Sequence, residues 1–147
     1  MLKSLVCSLF LCFTSFASQA DGGAATDEVN PNDAREVRQV VEAQLRALAG
    51  DKPTDAFLYA SPEIKSQFTD ATAFVQMVRR GYPMLIRPVS IGFTQPEAAD
   101  GAIVQAVQLH DRDGKFWRAI YDLRRQPDNS WRINGCVVAP DDDSSTT

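Results

Sequence analysis

The chain has little with which to do metal or covalent chemistry. It holds one histidine and three cysteines in 147 residues, and two of those cysteines, Cys7 and Cys12, fall within the first twenty positions. Metal sites draw on clustered imidazole, thiolate or carboxylate ligands, and no such cluster stands outside the acidic end of the sequence. No metal and no cofactor is expected. No serine lies in a Gly-x-Ser-x-Gly elbow, so a nucleophile triad of that kind is not indicated. Positive charge is also short, with 15 basic against 19 acidic residues. Nonspecific nucleic-acid binding needs a basic footprint, as does adhesion to anionic lipid; neither partner is expected.

What is present begins with a leader. Lys3 is followed by an apolar stretch from Ser4 to Ala17, and Ser18-Gln19-Ala20 sets small residues at the positions a signal peptidase reads. The apolar run falls short of the roughly 20 residues that span a bilayer. A cleaved signal over residues 1–20 is therefore expected, with periplasmic or secreted localisation and no stable membrane insertion afterwards. Cleavage would leave 14 basic and 19 acidic residues and Cys136 as the lone cysteine. An intramolecular disulfide is then excluded, and the fold must rest on its apolar core. Residues 21–31 read as a flexible lead-in, 32–140 as one domain and 141–147 as an acidic disordered tail.

The first half of the domain has helical spacing. Asp33 and Glu36 suggest a capping box; Val37, Val40, Val41, Leu45 and Leu48 follow at helical intervals until Gly50. A short helix over 53–60 carries Phe57 and Leu58, and Ser61-Pro62-Glu63 restarts the chain. A further helix starts after Thr69 or Asp70, bears Phe74, Met77 and Val78, and ends at Gly81-Tyr82-Pro83.

The period then falls to two. Val89, Ile91 and Phe93 mark a first strand, a loop runs from Pro96 to Gly101, and three strands fill 102–140. Asp111 to Lys115 fits a three-residue hairpin loop with Gly114 left-handed. Pro127-Asp128-Asn129 fits the same loop with Asn129 in that role. The first turn sets Leu109 opposite Trp117, Val107 opposite Ala119, Gln105 opposite Tyr121 and Ile103 opposite Leu123. The second sets Leu123 opposite Ile133, Tyr121 opposite Gly135 and Ala119 opposite Val137. One sheet face becomes an apolar wall that a one-residue slip would destroy. Helices followed by an antiparallel meander predict an α+β domain, its N-terminal helices packed on one face of a curved four-stranded sheet.

Ala60-Ser61-Pro62-Glu63-Ile64, the run Met77 to Pro83 and the run Arg125 to Cys136 resemble the domain of unknown function 4864 family over roughly residues 34–138. The closing Trp-x-Ile strand is similar to the wider nuclear-transport-factor-2-like (NTF2-like, cystatin-like) superfamily. The resemblance implies a cone-shaped sheet around helices, often with a pocket and often dimeric. It implies no activity. Asn129 departs from the family's usual Gly, and the turn tolerates it because Asn enters the left-handed region.

Candidate site residues follow from the registers. Gln105, Trp117, Tyr121 and Gly135 on the inner face suit a mostly apolar pocket with a few orienting polar groups; the alternative is a filled core in which the Tyr121 hydroxyl bonds Gln105. Arg79, Arg80 and Arg87 flank Gly81-Tyr82-Pro83 and suit an anionic ligand, or simply a helix C-terminus. The outer face carries Val104, Ala106, Phe116, Ile120, Cys136 and Val138, broken by Arg118 and Asp122. So apolar a face suggests a homodimer joined sheet to sheet, unless the tail or leader folds over it. His110 reads as a surface residue near a hairpin end. Acid–base catalysis would need a carboxylate from the helices, with Asp55, Glu63 and Asp70 as nominal candidates, each equally explained as a helix-start residue. The expected function is a ligand-binding or protein-interaction module without catalysis; the alternative is a small lyase or isomerase using the cone pocket.

Overall fold

A computed structural model of the chain describes residues 28–142; the expected signal peptide, most of the lead-in and most of the acidic tail lie outside them. The element order is α1 (Pro31–Ala49), α2 (Pro53–Leu58), α3 (Pro62–Lys65), α4 (Ala71–Gly81), a 3-10 turn (Pro83–Leu85), and strands β1 (Ser90–Phe93), β2 (Glu97–Ala99), β3 (Ala102–His110), β4 (Phe116–Arg125) and β5 (Trp131–Pro140). No helix among the described residues is long and apolar enough to cross a membrane.

Helix starts follow side-chain caps. Asn30, not Asp33, caps α1, accepting from the Asn32 N–H at 2.8 Å, with Pro31 in the first turn. Asp33 instead accepts from Arg125 and, at 3.3 Å, from the Trp131 indole N–H, tying α1 to the sheet. Ser61 caps α3 and Asp70 caps α4, their side chains accepting from Ile64 N and Ala73 N. Gly50 closes α1 at φ −86°, and Asp51 takes the left-handed conformation.

The sheet runs β1-β3-β4-β5, all antiparallel, with β2 added on β3. Four strands thus form the frame, and the edge strand is split: β1 pairs with Val107–His110, β2 with Ala102–Val104. The segment expected as a loop contains β2 because Asp100 and Gly101, both at positive φ, form a two-residue turn between the paired Ala99 and Ala102. Asp-Gly is a strong signal for that turn.

The β3–β4 register is as predicted, from Ile103↔Leu123 to Leu109↔Trp117. The left-handed residues of these two hairpin turns are Gly114 and Asn129, also as predicted. The β4–β5 register holds at Leu123↔Ile133 and then shifts. A bulge leaves Asn134 unpaired, so Asp122 faces Gly135, Tyr121 faces Cys136 and Ala119 faces Val138. The core lies between the helices and this inner face. Val37, Val41, Leu45 and Leu48 of α1 and Phe74, Val75 and Val78 of α4 meet Ile103, Val107, Leu109, Ala119, Tyr121, Leu123 and Ile133. Phe57 and Phe68 both pack on Phe74 with ring centroids 5.4 Å away.

Candidate ligand-binding site

The bulge that displaces β5 also builds a cavity. Tyr59, Ala60 and Ser61 run parallel to β5 at Ile133: Ser61 N–H donates to the Ile133 carbonyl and Ile133 N–H to the Tyr59 carbonyl, both at 2.8 Å. The Ser61 hydroxyl donates to Asn134 Oδ1 at 2.8 Å while accepting from Ile64 N–H at 3.2 Å. The Ser-Pro-Glu segment is thereby pinned over the extra residue of β5. Between this segment, α1, α4 and the sheet lies a cavity of about 240 Å³. Its lining is mostly apolar and includes Leu48, Ile64, Phe68, Phe74, Met77 and Val78. Gln44, Gln67, Tyr82, Tyr121 and Cys136 bring its polar side chains, and no carboxylate, imidazole, amine or guanidine lines it.

Burial governs the ionisation of this wall. Tyr121 is 1% exposed, and burial, then the neighbouring Cys136, holds its hydroxyl proton far beyond the ordinary phenol range. Burial likewise pushes the Cys136 thiol up to about 12, with the adjacent Tyr121 hydroxyl pulling weakly the other way. The two groups bias each other, yet the Tyr121 hydroxyl makes no hydrogen bond of acceptable geometry with any described residue.

Several sequence expectations change here. Cys136 and Val138, expected on the outer face, turn inward and pack against the core. Val137 takes the outward place and is 68% exposed. The cause is the single bulged residue, since one extra residue inverts the facing of everything beyond it. Tyr121 and Gly135 line the cavity; Gln105 and Trp117 do not. Gln105 is buried, its amide N–H group donating to the carbonyls of Thr94 at 2.9 Å and Ala106 at 2.8 Å, and its oxygen does not accept from the Tyr121 hydroxyl. Trp117 packs at the end of the wall, its indole N–H donating to Asp111 Oδ2 at 2.7 Å. That bond, with the Lys115 and Asp113 backbone, lowers the Asp111 carboxyl from its usual value.

The three arginines do not converge on the cavity. Arg79 pairs with Asp51, and Arg87, itself at φ +55°, donates to the Ala49 carbonyl at 2.8 Å. Both secure the end of α1, and Arg80 is exposed on α4. Asp55, Glu63 and Asp70 are exposed and line no part of the cavity. His110 stacks on Phe116, ring centroids 4.5 Å apart. On the outer face, Phe116, Ile120 and Val137 are exposed, and Val104 and Ala106 are half-buried. Arg118 is engaged by Asp141 at 3.2 Å and Asp122 lies 3.4 Å from Arg124, so these two charges have partners within the chain. Sequence reasoning missed the helical half of the lining. Gln44 gave one signal: a polar residue three after Val41 and four before Leu48, in the middle of the buried stripe.

A family model described as a domain of unknown function (DUF4864) matches residues 30–146. No curated protein matches the sequence. An NTF2-like protein of unknown function from Shewanella baltica superposes with a TM-score of 0.54 at 7% identity, covering 75% of this chain and 94% of the other. Aln2 from a Streptomyces species gives 0.54 at 18% identity, over 80% and 96% respectively. At such identities the likeness establishes the fold, which is NTF2-like.

Proposed function

The chain belongs to the domain of unknown function (DUF4864) family, and we propose that it is a binding module that holds a small, uncharged, mostly apolar molecule in the cavity beneath α4, without transforming it. The carrying observation is the lining itself: about 240 Å³ of space walled by apolar side chains with no ionised group. A lyase or isomerase of the acid–base kind needs a base or acid within hydrogen-bond reach of the bound molecule, and the nominal carboxylates face solvent. An engineered apolar cavity of roughly 150 Å³ takes up benzene, so this one suits a fused bicyclic molecule. The leader motif around Lys3 and Ser18-Gln19-Ala20 supports a secreted or periplasmic setting for that binding.

Indane is a suitable neutral probe. At ten times its Kd it should stabilise the protein by about 1.4 kcal/mol, which a thermal melt reads as a rise of several degrees. Val78→Phe, which fills the cavity from α4, should abolish the rise while retaining the far-UV circular dichroism of the parent. A melt unmoved by indane or by substituted indanes counts against the reading.

A second reading is favoured by the outer sheet face, where Phe116 is 37%, Ile120 42% and Val137 68% exposed. We infer a homodimer joined through this face, which would hide those side chains. Sedimentation should give a dimer at micromolar concentration and a monomer for Ile120→Asp. A wild-type monomer at high micromolar concentration eliminates it.

A further inference from the structure

Among the described residues two buried side-chain polar atoms lack a hydrogen bond, the Tyr121 hydroxyl and Asp122 Oδ1; Asp122 has Arg124 beside it at 3.4 Å, whereas Tyr121 has no charged neighbour in the cavity wall. Its ring is held by β3 and β5 on either side, opposite Gln105 and Cys136. Gln105, across the strand pair, donates its amide to the Thr94 and Ala106 carbonyls, and its oxygen makes no hydrogen bond with the hydroxyl. Cys136 stands beside the hydroxyl, but a thiol sulfur is a weak acceptor. A buried hydroxyl without an acceptor forfeits its hydration for nothing, and a phenylalanine would fill the same space without that penalty. Both Tyr121 and Cys136 line the cavity, so the missing acceptor has a place from which to come.

Resting on the cavity reading above, we propose that the ligand is a neutral molecule of about ten non-hydrogen atoms, scaled from benzene in an apolar cavity, bearing a carbonyl oxygen that accepts a hydrogen bond from Tyr121. The acceptor is uncharged because no cation lines the cavity and because an isolated anion is strongly disfavoured against so apolar a wall. The hydroxyl is enclosed in the unliganded protein, so this contact requires the cavity wall beside it to move. No proton leaves Tyr121 in this event; its O–H remains a donor, and nothing is transferred.

The experiment uses the full chain and Tyr121→Phe, titrated calorimetrically with indane, 1-indanone and indane-1-carboxylate. Wild type should bind indanone, and the carboxylate at least tenfold more weakly. Tyr121→Phe should weaken indanone by roughly two- to thirteenfold, the range expected for one hydrogen bond, while leaving indane unchanged or tighter. Without ligand, Tyr121→Phe should melt no lower than wild type, since the hydroxyl it removes has no partner. If indane and indanone both bind and the substitution alters neither, the carbonyl assignment is overturned and the cavity reading survives. If neither binds wild type, both fall. A carboxylate that binds as well as indanone overturns the neutral class, and a lower melt for unliganded Tyr121→Phe overturns the unpartnered hydroxyl.

Discussion

The two hairpins of the C-terminal meander begin alike and end differently. Each turns on a left-handed residue, Gly114 in one and Asn129 in the other. Along β3–β4 the alternation set by the turn runs unbroken from His110↔Phe116 to Ala102↔Arg124. Along β4–β5 it lasts three pairs, from Arg125↔Trp131 to Leu123↔Ile133, before Asn134 drops out. A turn dictates register only until another part of the chain intervenes. Here the intervening part is Ser61, some seventy residues earlier, which bonds Asn134 and borrows the Ile133 carbonyl. The first hairpin is a local structure; the second is a local structure edited by a tertiary contact.

Leu123, on the strand common to both hairpins, is the last β4 residue paired before the bulge, with Ile103 on one side and Ile133 on the other, and is 0% exposed. Leu123→Ala should therefore give the largest loss, about 2–5 kcal/mol in urea denaturation. A loss below 1 kcal/mol would mean that the inner wall is not the core. Ser61 tests the edit itself. Ser61→Ala removes the α3 cap and strands the Asn134 carboxamide, and should cost about 2 kcal/mol. If it is neutral, the bulge stands without its tertiary partner and the contrast between the hairpins has another cause.

How much of this could be read from residues alone follows the same line. The helices, the first register and both left-handed positions are legible because periodicity and turn chemistry are local. Asp100-Gly101 is a turn signal of the same local kind, and it carries β2 in the segment 96–101 expected as a loop. The bulge had a faint signal, since Gly135 interrupts a strand and a strand-interior glycine often marks one. What no local pattern carries is which residue is extra, because that is decided by Ser61 and Asn134 meeting in space. The site inherits the error. Tyr121 was placed correctly by the intact hairpin, while Cys136, across the edited one, was placed on the wrong side of the sheet.

Neighbouring valines sharpen the point at smaller scale. Strict alternation would bury Val137 and expose Val138, whereas Val137 is 68% exposed and Val138 packs against the core. Val138→Ala should cost about 1–1.5 kcal/mol and Val137→Ala less than about 0.5 kcal/mol. The reverse ranking would restore the unbulged register.

Cys136 supplies the gentlest test, because its chemistry reports which way β5 faces without a change of shape. Burial keeps its thiol protonated up to about 12, whereas in the unfolded chain it ionises near 8.5. Between those values the unfolded state binds fewer protons than the native one, so stability falls as pH rises, and the contribution is complete only below the unfolded value. From pH 8 to 9.5 the loss should be about 1 kcal/mol, and Cys136→Ala should remove that slope while lowering the overall midpoint. Tyr121, also raised by burial, adds a loss of the same sign at higher pH, which the substitution leaves in place. Iodoacetamide at pH 8 should label native Cys136 only as fast as the protein opens. A Phe116→Cys, Cys136→Ala chain, with its thiol on the outer face of the unedited hairpin, should label like a free thiol. Equal rates for the two would put Cys136 outside, return β5 to the register its turn alone prescribes, and leave Tyr121 with a different neighbour.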